Sequence, residues 1–109
     1  MGSKHKLLDT PPDKVPHEFA QAVIDFCKPI DAITVAYVGL TEITEDFKNP
    51  YEQLAAAFVL TSDDLDTIEP VADRFYDSMP ADVQTGGFNV LDAGGQAVWQ
   101  KQAQQVFTR

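Results

Sequence analysis

The sequence predicts a small α+β domain in which a mixed three- or four-stranded sheet carries helices packed on it, in the order α-β-β-α-β-α. Three observations lead there. Leu65, Ile68, Ala72, Phe75 and Met79 recur at alternating three- and four-residue steps, the period of one helix face. Ile33, Thr34, Val35, Tyr37 and Val38 form a β-branched and aromatic run that fits a pleated surface better than a helix. A length of 109 residues with 44% hydrophobic side chains suits one core and one domain.

The elements follow from local chemistry. Residues 1–12 are polar and basic and run into Thr10-Pro11-Pro12, so they read as a flexible lead before a single domain over 13–109. Asp13 and Pro16 suit a first helical turn, giving a helix from Lys14 with Val15, Phe19, Ala22, Val23 and Phe26 on one stripe; Lys28 and Pro29 end it. A strand follows over Ala32–Ile43. A second, over Gln53–Thr61, is apolar on both faces, and its small Ala55/Ala57 face leaves room for a helix to come close. The intervening turn at Asn49-Pro50 pairs the two strands antiparallel.

Ser62 to Thr67 gathers carboxylates and hydroxyls that cap the next helix, and Pro70 favours Thr67 as the cap, or a tightened turn before it. Pro80 closes that helix and Gly86-Gly87 turns the chain. Phe88–Leu91 is a third strand, parallel to the second across the helical crossover and bounded by Asp92-Ala93-Gly94-Gly95. Gln96–Gln105 forms the last helix on the stripe Trp99, Ala103 and Val106, with Val106-Phe107-Thr108 extended after it.

Eight Lys plus Arg against seventeen Asp plus Glu give a net charge of −9, which repels phosphate backbones and anionic lipid. Nucleic acid and membrane are therefore not expected partners; such a surface could serve a basic protein, although acidity more often serves solubility alone. No apolar run reaches the ~18 residues of a membrane span, the N-terminus lacks a signal-like apolar core, and Cys27 is a lone cysteine. The expectation is a cytoplasmic protein.

No catalytic, cofactor-binding or metal set is expected. His17 and Cys27 stand ten residues apart on one predicted helix, about 80° around its axis, so neither faces the other as base and nucleophile. Asp63, Asp64 and Asp66 lack the glycine and distal glutamate of a calcium loop and read as helix caps. Neither Gly86-Gly87 nor Gly94-Gly95 has the spacing of a phosphate cradle. The candidate interface residues are the large aromatics Phe47, Tyr51, Trp99 and Phe107, with the segment Thr41–Glu52 as the best contact site.

Ala36-Tyr37-Val38-Gly39-Leu40, then Ala57-Phe58-Val59-Leu60, an acidic amphipathic helix and a last helix running into Val106-Phe107-Thr108 together resemble the C-terminal domain of the enhanced serine sensitivity protein SseB, over residues 15–109. The resemblance implies a small mixed α/β domain in a bacterial cytoplasm with no defined reaction, and it carries over no site residue. The leading functional expectation is a non-enzymatic interaction or regulatory domain. An acidic inhibitor or immunity protein for a basic partner, a small-ligand-binding domain, and a homodimer paired through an apolar edge strand or the Val106-Phe107 segment are the alternatives.

Overall fold

The computed structural model describes residues 4–62, 64–79 and 88–109. In chain order these form β1 (Lys4–Leu7), a 3-10 turn (Pro12–Lys14), α1 (His17–Cys27), β2 (Ile33–Thr44), β3 (Tyr51–Leu60), α2 (Leu65–Ser78), β4 (Phe88–Val90), α3 (Ala93–Gln102) and β5 (Gln104–Thr108). Pro80, the Gly86-Gly87 turn and Asp63 lie outside the described residues.

The fold is α+β with a mixed sheet. β2 and β3 pair antiparallel from Ile33↔Leu60 to Ile43↔Tyr51, and β4 lies parallel to β3 with Ala56 opposite Phe88. Alternation then sorts the side chains by face. Ala36, Val38, Ala56 and Phe58 point to one side, where they meet Phe19, Val23, Phe26 and Cys27 of α1 and Val71 and Phe75 of α2. Phe58 stands at the centre of that core, with ring centroids 5.6 Å from Phe26, 6.0 Å from Phe75 and 5.3 Å from Phe88. On the other side Tyr37, Ala55 and Ala57 meet Trp99 and Ala103 at the C-terminal end of α3. The small alanine face admits a helix as expected, and Gly39 is what lets it settle: a β-carbon there would lie 2.8 Å from Leu7 Cδ1, 3.0 Å from Ala103 Cβ and 3.2 Å from Trp99 Cζ3.

Among the described residues the sheet has five strands rather than three or four. β1 occupies part of the lead expected to be flexible, because its residues pair antiparallel with β2 from Lys4↔Thr44 to Leu7↔Thr41. That register sets Lys6 opposite Glu42, a favourable cross-strand pair, and Leu7 joins the α3-side core. β5 takes the same edge of β2 further along, over Val35↔Thr108 to Val38↔Gln104, with a bulge between Ala36 and Tyr37. Thr10, 2% exposed, knits the joint between the two. Its hydroxyl donates to Leu8 O at 2.9 Å and accepts from Leu40 N at 2.9 Å, while its N–H donates to Gln102 O at 2.6 Å. The hydroxyl thus stands in for the strand partner that Leu40 lacks there.

Helix ends also move from their sequence expectations. α1 starts at His17, not Lys14, because Pro11 and Pro12 open a 3-10 turn and Val15, preceding Pro16, is held extended at φ −101, ψ 111. α2 starts at Leu65, not at a Thr67 cap. Asp64 holds the cap position without a side-chain bond, and Thr67 N–H donates to Asp64 O at 2.9 Å in the tightened first turn. Pro70 lies inside this helix and is exposed. The buried stripe is Val71, Phe75 and Met79, leaving Leu65 69% exposed. α3 begins at Ala93 rather than Gln96, since Asp92 Oδ1 accepts from Gly95 N at 2.7 Å and draws both glycines into the first turn. Val106 leaves the Trp99/Ala103 stripe, because β5 carries it to the opposite face.

Candidate functional site

The β2–β3 hairpin ends in a turn whose chemistry runs against its conformation. Lys48 N–H donates to Glu45 O at 3.3 Å, closing four residues around Asp46 and Phe47. The third position of such a turn favours glycine or asparagine when φ is positive. Here it holds Phe47 at φ 64, the one non-glycine residue with positive φ among the described residues. Its side chain is 103% exposed. A bulky residue in the left-handed region pays a steric penalty, and this ring recovers none of it by burial.

The base of the turn is organised. Glu45 accepts from Tyr51 OH at 3.3 Å, and its other oxygen lies 3.3 Å from Lys48 Nζ. Tyr51 is half-buried opposite Ile43. Loss of solvation first, and the neighbouring Glu45 carboxylate second, push its phenol above the ordinary range. Further down the ribbon Glu42 stands directly opposite Glu52. Two like charges in register weaken a ladder, a local cost that Lys6, opposite Glu42 on β1, offsets in part.

Of the four aromatics singled out in the sequence, the structure brings Phe47 and Tyr51 together at this hairpin. Trp99 is a correction: at 9% exposure it is a core residue beneath α3, packed with Tyr37, Ala55 and Ala57. Phe107 is half-buried against the α1-side core, with the Arg109 guanidinium 5.3 Å from its ring centre. One face of the ring is thereby occupied within the chain.

Cys27 is fully buried, and loss of solvation pushes its thiol up to about 12 despite the opposing charge of Arg109. His17 is exposed and lines an open groove of about 360 Å³ together with Pro12, Val15, Ala20 and Gln104 to Val106. Histidine and thiol therefore occupy different environments. Among the described residues no three His, Cys, Asp or Glu side chains converge on a common metal position. No described helix is long and apolar enough to cross a membrane.

One residue with a large structural role gave no signal in the sequence. Arg109 gathers carbonyls from the end of α1, the loop after it and the start of β2: Nη2 donates to Cys27 O and Ile30 O, both at 2.9 Å, and Nε to Ile33 O at 2.9 Å. Nothing in a β-like Val-Phe-Thr-Arg segment announces a helix cap contributed from so far along the chain. Comparison with family models, curated proteins and solved structures finds no match for this chain.

Proposed function

We propose that this chain is a non-enzymatic protein-interaction domain whose contact element is the tip of the β2–β3 hairpin. The observation that carries the reading is Phe47, a wholly exposed aromatic held at φ 64 on an otherwise well-bonded turn. Local rules are broken at this position without a local gain, the pattern expected where a residue serves a partner rather than its own fold. Aromatic side chains on protruding turns act as interface anchors because they bury large area with few torsions to freeze.

The net charge of −9 and the facing Glu42 and Glu52 favour a second reading within the same class, an acidic inhibitor of a basic protein. The resemblance to the SseB C-terminal domain and a cytoplasmic location belong to the proposal as well; a lone, buried, reduced thiol supports the latter. The test is a pull-down from lysate at low and high salt with the wild-type chain and with Phe47→Asn. A stoichiometric partner retained by wild type and lost by the variant supports the reading. A partner held equally by both removes the hairpin tip from it. Release of that partner by salt favours the inhibitor reading.

A further inference from the structure

Residues 4–10 dock on β2 in a seat shaped for them alone. Leu7 fills the hollow left by Gly39, its Cδ1 lying 2.8 Å from where a β-carbon of that glycine would stand. Lys6 faces Glu42 in register, and the buried Thr10 hydroxyl accepts from Leu40 N at 2.9 Å. The link from this segment to the rest of its own chain is slighter. Pro11 stands at φ −68, ψ 160, Val15 at φ −101, ψ 111 and Pro16 at φ −60, ψ 136, all extended. Between them only the 3-10 turn Pro12–Lys14 bends the chain, held by Lys14 N–H on Pro11 O at 2.9 Å and Val15 N–H on Pro12 O at 3.2 Å. Pro11 to Lys14 are exposed, so water replaces both bonds when the turn opens. Adjacent prolines favour the extended polyproline conformation, whereas Val15 stays packed on the α1-side core. Opening Pro12–Lys14 therefore turns residues 11–16 into a semi-rigid spacer of about 19 Å.

We propose that this chain dimerises by exchanging residues 4–10: the Pro12–Lys14 turn opens in each of two copies, and β1 and Thr10 of one copy dock on β2 of the other. The occupant of the vacated seat is the identical segment of a second copy, because only that sequence restores the Leu7 fit to Gly39, the Lys6–Glu42 pair and the Thr10 bonds to Leu40 N, Gln102 O and Gln104 Nε2. Every contact of the closed chain recurs in the dimer, so the balance between them rests on the hinge and on mass action. Rising protein concentration is the trigger. Extension of the proline hinge favours exchange, and the lost freedom of two associating copies opposes it. Each copy carries a net charge of −9, so salt screens their repulsion and shifts the balance toward the dimer.

The test is light scattering on the full chain from about 10 µM to about 1 mM, at low and high salt. Wild type shifts from monomer to dimer across this range, and at lower concentration in high salt. Insertion of Gly-Ser-Gly-Ser after Asp13 lets the hinge bend freely and raises the concentration needed for the dimer at least about tenfold. Deletion of Asp13 and Lys14 removes the bend and lowers it by a similar factor; should that form not fold, the insertion decides. The double variant Lys6→Cys with Glu42→Cys places thiols directly opposite in the ladder, within disulfide reach, while Cys27 stays buried. Oxidised at the high concentration it gives a covalent dimer on a non-reducing gel, and at the low one a monomer. Monomer at every concentration overturns the exchange. So does a dimer whose disulfide stays within each chain, since the copies then meet through another surface. Equal dimerisation of wild type and the insertion variant overturns the hinge as its cause.

Discussion

Replacing Phe47 by asparagine is expected to make the protein more stable while removing its proposed anchor. The ring is 103% exposed, so truncation forfeits no buried area. The backbone at φ 64 costs an ordinary L-residue about 1–2 kcal/mol, whereas asparagine tolerates the left-handed region through its short polar side chain. Glycine would relieve the same strain but return about 0.5–1 kcal/mol through the entropy of the unfolded chain, so asparagine gives the cleaner gain. A net stabilisation of about 0.5–1 kcal/mol corresponds to a rise in Tm of about 2–6 °C for a domain of this size. Thermal unfolding followed by circular dichroism reads it, with Phe47→Ala as the control. Alanine keeps the β-carbon and hence the strain, so its Tm stays at the wild-type value. A lower Tm for Phe47→Asn would show that the ring works for the isolated fold, and the reasoning from exposure to partner binding would collapse.

Further expectations concern the core and the edge. Gly39→Ala should destabilise by about 1–3 kcal/mol in urea titration, since Trp99 Cζ3 at 3.2 Å and Ala103 Cβ at 3.0 Å, in and just after α3, must shift to make room; an unchanged midpoint would show that α3 rides loosely on the sheet. Phe58→Ala should cost about 3–5 kcal/mol, because three rings lose their common neighbour. The Cys27 thiol titrates at about 12 when folded, above its unfolded value near 9.0, so the unfolded state loses its proton first as pH rises. Its contribution to stability is complete below pH 9 and falls toward pH 12 by about 1.4 kcal/mol per unit, a component that Cys27→Ala should remove from alkaline urea melts, leaving the shallower fall due to groups such as Tyr51. Lys6→Glu places like charges in register with Glu42 and should speed exchange of the β1 amides, with about 0.2–1 kcal/mol lost locally and the β3 amides untouched.

The elements that were legible in the sequence are those whose pattern is local. The β-branched run in β2 and the alternation in β3 report the face each residue presents, the Ala55/Ala57 face announces a close helix, and the apolar spacing of α2 marks a helix whose buried face takes Val71 in place of Leu65. What was not legible depends on partners far along the chain. Lys4 to Leu7 carries too little apolar character to read as a strand, and becomes one because β2 offers a free edge with Glu42 opposite Lys6. Trp99 and Phe107 read as interface residues from their place near the end of the sequence, yet Trp99 is buried against β2 and β3, and Phe107 is half-buried against the α1-side core. Phe47 was singled out for its residue type and its loop. The observation that makes it informative, a positive φ with full exposure, belongs to the turn and has no counterpart in composition.

The composite edge of β2 has a consequence for how the chain is made. β1 and β5 run in the same direction along it, Lys4 to Leu7 against Thr44 to Thr41 and Gln104 to Thr108 against Val38 to Val35, as one interrupted strand drawn from both extremes of the described sequence. During vectorial synthesis β2 and β3 can form their hairpin early, but the Val35–Val38 stretch waits for a segment that emerges after every other described element. Nascent or prematurely released chains therefore carry an apolar, half-dressed strand, the species most prone to pair with one another and to need a chaperone.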